Sequence, residues 1–169
     1  MWDYFQKKFP HYTLDDMKQH WQQSRSHVLE VYCSEHSQLT RQGETLGMVT
    51  FRFGLRHGDL ATFFGRCRLY DLIWQIRPRH IWVSPKCGPW SNWNRLKAMK
   101  SMKCAQQIDQ DRRAESVHLK ICDALFRLQD WRGDDFHFHL EQPAGSELIF
   151  QHDMDNIVRH TLRVTCDMC

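Results

Sequence analysis

The stretch of sequence that decides the fold runs from residue 80 to residue 91 and reads HIWVSPKCGPWS. Residues 80–84 favour a β-strand, because the run is rich in β-branched and aromatic side chains. Pro85 ends this strand, since a proline ring removes the backbone donor that a sheet needs. The turn that follows holds Cys87 between Pro85 and Pro89, which predicts a stiff loop at the end of a buried strand.

Comparable strand and helix patterns alternate along the rest of the chain. Short runs of strand-forming residues predict further strands at 28–33, 48–53, 136–140 and 162–166. Apolar residues at helical spacing predict helices over 60–76, capped by Asp59, and over 108–131, with shorter ones near Leu39 and after Ser146. Residues 86–106 read as a polar, basic loop. Strands that alternate with helices favour an α/β fold, in which a parallel sheet carries helices on both faces.

The chain divides into an N-terminal arm with a short helix over residues 1–27 and an α/β domain over residues 28–169. Thr13 is suited to cap the short helix. We expect the C-terminal part of the α/β domain to lie beyond Cys169. Seven dispersed cysteines and an N-terminus without an apolar leader favour reduced thiols in an intracellular compartment, nuclear or cytoplasmic. No apolar run is long enough to cross a bilayer, so we expect no membrane partner.

Cys87 is the candidate nucleophile. Its position on a stiff turn after a strand presents the sulfur to a cleft, and nearby Lys86 and backbone N–H groups favour the reactive thiolate. The alternative is a structural cysteine, because free cysteine is often simply buried.

Glu141 is the second candidate for chemistry, since it follows the strand predicted at 136–140. In a parallel sheet that position is close to the loop that carries Cys87, and a carboxyl group there can bind a nucleobase or act as a general acid. The alternative is a glutamate that caps a helix or lies on the surface.

The segment from Lys86 to Ala105 is basic and has no acidic residue. Such a bias favours contact with phosphate groups, although a solvated surface gives the same pattern. Trp90 and Trp93 flank a polar pair in this segment and are suited to stack on a base or to pin the loop to the sheet. The residues that we assign to nucleic-acid binding are Lys86, Trp90, Ser91, Arg95, Lys97, Lys100 and Lys103.

The order of strand, Pro-x-Cys-x-x-aromatic-Ser motif, basic loop, helix, strand and glutamate resembles the cytosine-C5 DNA methyltransferases. These belong to the Rossmann-like superfamily of S-adenosylmethionine-dependent methyltransferases. The resemblance implies that Cys87 attacks carbon 6 of a cytosine that has left the DNA stack, while Glu141 holds and protonates the ring. It also implies a methyl group supplied by S-adenosylmethionine, with cofactor contacts from Glu30, Tyr32, Ser34, Asp59 and Pro85.

The chain departs from that family at the turn after the first strand, where Ser34, Glu35 and His36 replace the expected glycines. This departure supports an alternative: a catalytically inactive methyltransferase-fold module of a larger protein, such as the polyprotein of a mobile element, that binds nucleic acid or protein. A third interpretation is a zinc-dependent nucleic-acid binder, based on the spacing of Cys166 and Cys169 and on His137 and His139.

Overall fold

A computed structural model describes residues 1–165 and contains a four-stranded parallel sheet flanked by helices. The strands are β1 (Ser26–Val31), β2 (Thr50–Phe53), β3 (Pro78–Val83) and β4 (His137–Leu140), in the spatial order β2-β1-β3-β4. All three pairings are parallel, and Leu29 in β1 lies opposite Phe51 in β2 and Ile81 in β3. The α/β fold predicted from the sequence is therefore confirmed.

The helices connect these strands and extend beyond them. They are α1 (Trp2–Lys8), α2 (Leu14–Gln22), α3 (Gln38–Thr45), α4 (Phe63–Ile76), α5 (Asn92–Ala98), α6 (Met102–Arg132) and α7 (Asp155–His160). The chain forms two compact units. The first unit contains residues 1–84 and 124–140 and includes the whole sheet, and the second contains residues 85–123 and, of the described residues, 141–165.

The sheet has helices on both faces, because successive side chains of each strand point to opposite faces and contact different helices. On one face the side chain of Glu30 accepts hydrogen bonds from α3. On the other, Phe138 of β4 lies edge to face with Phe126 of α6, with ring centroids 5.8 Å apart. The buried positions of β1 and β3 that share this second face are Leu29, Val31, Ile81 and Val83.

The N-terminal aromatic residues belong to the core of the first unit. Phe5 of α1 is fully buried, with its ring centroid 5.3 Å from that of Trp21 and 5.2 Å from that of Trp74. Thr13 caps α2 as predicted, and it forms a reciprocal capping box with Asp16.

Three local predictions are corrected by the structure. The predicted basic loop of residues 86–106 is largely helical, since it contains α5 and the first turns of α6. Residues 162–165 form no strand and leave Leu162 exposed, and Cys166, the last residue of that predicted strand, lies outside the described residues. The cap of α4 is Thr62, whose hydroxyl accepts from the Gly65 amide, whereas Asp59 accepts from Ala61 in the preceding turn.

The turn before α4 folds back closely on the helix. A Cβ atom added at Gly65 would lie 1.9 Å from the Asp59 carbonyl oxygen, a distance that no side chain can occupy. A glycine at this position therefore allows the loop between β2 and α4 to pack against the first turn of the helix.

Candidate functional site

The segment that carries Cys87 is held by side chains of the second unit. Cys87 is half-buried, and its carbonyl oxygen accepts from the Trp90 amide at 3.0 Å, which closes a short 3-10 turn. Arg112 of α6 donates to the Pro89 carbonyl oxygen at 3.0 Å, and its guanidinium carbon lies 5.2 Å from the centre of the Trp90 ring. Arg112 also pairs with Glu147. The turn is therefore fixed on both its backbone and its aromatic side.

Gln142 ties the Cys87 segment to the Glu141 segment within this unit. Its side-chain amide donates to the Pro85 carbonyl oxygen at 2.7 Å, and its Oε1 accepts from the Ser146 hydroxyl at 3.0 Å. Pro85 itself is buried. The two predicted catalytic residues thus lie on segments that Gln142 connects. Cys87 is two residues from Pro85, which accepts the hydrogen bond, and Glu141 is one residue from Gln142, which donates it.

Two of the predicted nucleic-acid contacts have partners within the protein. The Lys86 ammonium lies 3.8 Å from Glu115 of α6, so part of its charge is balanced there. Trp90 is only 3 % exposed, which leaves its ring closed to a stacking base and corresponds to the alternative in which it pins the loop. Trp93, in contrast, is 73 % exposed.

The other predicted cationic contacts face solvent. Arg95 and Lys97 lie on α5, Lys100 follows that helix and Lys103 is in the first turn of α6. None of these four forms an ion pair within residues 1–165. Ser91, the last predicted contact, caps α5 by accepting from the Trp93 amide at 3.3 Å.

The residues predicted for the cofactor lie mainly in the first unit, where Glu30 serves the fold. Glu30 is 6 % exposed, and its Oε2 accepts from the Ser37 hydroxyl at 2.5 Å and the Thr40 hydroxyl at 2.6 Å. This carboxylate fastens the first turn of α3 to β1. Burial and the nearby charge of Glu30 raise the pKa of the Cys33 thiol to about 11, so that thiol stays protonated at neutral pH.

The turn after β1 does not fit S-adenosylmethionine. Tyr32 has a left-handed backbone with φ 67°, a conformation that a glycine would adopt freely. Ser34 is exposed, and the neighbouring Glu35 pairs with Arg56. A Cβ at Gly54 would lie 2.5 Å from the Cys33 carbonyl oxygen, so the end of β2 already fills the space beside this turn. Close approach of a cofactor to the backbone is therefore obstructed by side chains and by packing.

Three imidazoles lie on one face of β3 and β4. His80 Nδ1 is 3.1 Å from His139 Nε2, and the His80 and His137 ring centroids are 4.8 Å apart. Burial is the main cause that lowers the pKa of His80 to about 4 and that of His139 below its usual range. Residues 1–165 contain no group of three His, Cys, Asp or Glu side chains suited to a metal ion, and Cys166 and Cys169 lie outside the described residues.

The imidazole cluster predicts a loss of stability on acidification. Unfolded histidine titrates near 6.5 and folded His80 near 4, so the unfolded chain binds more protons between these values and stability falls as pH falls. Allowing for solvent screening of this half-buried group, we expect His80 to contribute about 1 kcal/mol to the loss in free energy of unfolding between about pH 7.5 and pH 5. Urea titrations at both pH values measure it.

The control for this prediction is His80→Phe, which keeps a ring in the stack but cannot be protonated. The variant leaves groups outside the cluster in place, so the difference between the two proteins measures His80 together with its contact to His139. An identical loss of stability in the variant and the parent would contradict the assignment.

Two structural residues of the site were not predicted from the sequence. Arg112 lies 23 residues from the carbonyl it binds and Gln142 lies 57 residues from its own partner. Neither belongs to a local motif. The basic Asp-Arg-Arg run at 111–113 is the only signal near Arg112, and it does not indicate which side chain turns inward.

No helix among residues 1–165 combines the length and apolar character that a bilayer crossing requires. Comparisons of the chain with protein-family models, with curated proteins and with solved structures give no match.

Proposed function

We propose that this chain is a methyltransferase-fold domain that binds nucleic acid, in the first place DNA, through the segment of residues 86–103. The observation that carries the proposal is the charge of this segment. Residues 86–108 contain no acidic residue, and four exposed cations there have no ion-pair partner within residues 1–165. Unpaired cations on a segment without acidic residues attract a polyanion and release its counterions on binding.

The obstruction of the turn after β1 favours a binding role over methyl transfer. In the turn where the resemblance would put glycines beside the cofactor, this chain has Ser34 and Glu35, and Glu35 pairs with Arg56. Nucleic-acid binding needs none of these residues. The resulting function is that of a module that does not transfer methyl groups and whose fold presents a basic surface to nucleic acid.

The experiment compares two double variants that remove the same charge. We expect Lys97→Gln/Lys100→Gln to weaken DNA binding about tenfold at physiological salt and to make the slope of log K against log salt shallower by about 1.5. Lys7→Gln/Lys18→Gln, which removes two exposed lysines of α1 and α2, should leave both quantities unchanged. Fluorescence anisotropy with a labelled oligonucleotide measures both. Equal effects of the two variants, or no binding by the parent, would contradict the proposal.

A second candidate function is covalent addition of Cys87 to cytosine, favoured by the Gln142 link between the Cys87 and Glu141 segments. In this step the Cys87 thiolate forms a bond to carbon 6 of the ring and the π bond between carbons 5 and 6 breaks. Glu141 gives its proton to the ring nitrogen, and carbon 5 then takes a proton from water. The ring nitrogen returns its proton to the hydroxide so formed, which leaves a neutral 5,6-dihydrocytosine adduct and the Glu141 carboxylate. The step is reversible and uses only groups of this chain, the base and water. Trapping with a cytosine analogue tests it.

A further inference from the structure

A groove of about 720 Å³ opens beside α5 in the second unit. Its walls combine apolar, polar and cationic side chains. The residues that define it are Gly88, Trp93, Leu96, Lys97, Met99 and Lys100.

The apolar wall of this groove is exposed to an unusual degree. Trp93 is 73 % exposed and Met99 79 % exposed, and α5 buries none of its residues. A large indole left in water next to two lysines is a surface that is suited to a flat apolar ligand with negative charges.

The groove is built on a fixed base. The Asn94 side-chain amide donates to the Gly88 carbonyl oxygen at 2.7 Å, and Ser91 caps the helix that carries Trp93. A Cβ at Gly145 would lie 2.3 Å from the Asn92 side-chain nitrogen, so the start of α5 also contacts the segment after Glu141. The Trp93 backbone is therefore positioned before any ligand arrives.

We propose that this groove binds single-stranded nucleic acid, with one base stacked on Trp93 and the neighbouring phosphates on Lys97 and Lys100. The inference rests on the proposed function and adds the substrate class to it. An indole can stack only on a base whose face is free, and the bases of a duplex hide both faces. Duplex DNA can reach the lysines but not the ring, so the groove prefers single strands.

The length and composition of α5 favour nucleic acid over a lipid surface as the occupant. Amphipathic helices that bind membranes embed a continuous apolar face, whereas α5 is seven residues long and begins with Asn92 and Asn94 beside Trp93. Gly88, the residue after Cys87, also lines the groove, so a strand stacked on Trp93 would pass close to the candidate nucleophile.

The test is anisotropy with a single-stranded oligonucleotide and with the matched duplex. We expect Trp93→Ala to weaken single-strand binding about tenfold and duplex binding less than twofold, with Trp93→Phe intermediate because a phenyl ring still stacks. Met102→Ala, which removes a side chain of equal exposure outside the groove, should change neither. Circular dichroism checks whether Trp93→Ala is folded. If it is not, the comparison of single-strand with duplex binding is made with Trp93→Phe instead.

Three outcomes would overturn this inference. Equal weakening of single-strand and duplex binding by Trp93→Ala would remove the stacking role while the proposed function stands. Unchanged single-strand binding by Trp93→Ala, together with weaker binding by Lys97→Gln/Lys100→Gln, would also remove the stacking role and leave the proposed function in place. Loss of binding to phosphatidylserine vesicles in Trp93→Ala, with oligonucleotide binding intact, would assign the groove to a membrane surface. Absence of all oligonucleotide binding in the parent protein would instead reject the proposed function itself.

Discussion

A single-stranded oligonucleotide that contains 5-azacytosine should form a covalent adduct with this protein, and Cys87→Ala should abolish that adduct completely. The analogue carries nitrogen at ring position 5, which makes carbon 6 more electrophilic and lets a thiolate add without a methyl donor. Cys87 is half-buried on a turn that Arg112 and Gln142 hold in place, so the sulfur is presented at a fixed position. Denaturing electrophoresis with a labelled oligonucleotide measures the adduct.

Two further variants test the proton donor and control for the loss of a thiol. Glu141→Gln should slow adduct formation by about 100-fold, because an amide cannot supply the proton to the ring nitrogen. Cys104→Ala is the matched control, since Cys104 is another half-buried thiol of the same unit with no predicted role. An adduct that survives Cys87→Ala, or no adduct in the parent, would reject the covalent candidate and leave the binding role.

The strands could be predicted because their signals are local. The run at 80–84 predicted β3, which in the structure begins two residues earlier at Pro78 and ends at Val83. Pro78 is compatible with the first residue of a strand, where its missing donor is not needed. Propensity and alternation therefore located the sheet, and the connecting helices followed from it.

The helices of the basic segment could not be predicted in the same way. A helix is normally identified by an apolar stripe that faces the core, and α5 has no buried residue. Ser91 was assigned from the sequence to nucleic-acid binding, whereas in the structure it caps α5. Trp93, Leu96 and Met99 are exposed together, and only tertiary structure shows that they form a groove wall. The sequence therefore predicted the charge of this surface and not its shape.

The candidate site shows the same division between local and distant information. The missing glycines after β1 were visible in the sequence, and the left-handed Tyr32 agrees with that departure. No local motif indicates a partner for Gln142, whereas the structure shows its bond to the Pro85 carbonyl oxygen. A side chain that joins two segments distant in sequence has no periodic signature, so its role emerges only from the fold.

Replacing Arg132 with methionine should lower the free energy of unfolding by about 3 kcal/mol. Arg132 ends α6 and is 5 % exposed, and its guanidinium donates to the Trp21 carbonyl oxygen at 2.9 Å and the Arg77 carbonyl oxygen at 3.1 Å. The guanidinium carbon also lies 3.6 Å from the centre of the Phe136 ring. Methionine fills similar volume but leaves those buried carbonyls without this donor, and each unsatisfied group costs about 1–3 kcal/mol.

The matched control is Arg77→Met, because Arg77 is another buried arginine with a different set of partners. Its Nη1 lies 2.9 Å from His20 Nδ1, but its Nε and Nη2 are buried without a partner among the described residues. Burial and the charge of Arg77 together lower the pKa of Arg132 to about 9, so the two cations also destabilise each other. Arg77→Met should therefore leave stability unchanged or raise it by about 1 kcal/mol, since it removes an uncompensated buried charge.

Urea unfolding of the two variants measures both values. Equal losses in the two variants would show that the arginines stabilise the unit by volume alone, contrary to the role assigned to the Arg132 hydrogen bonds.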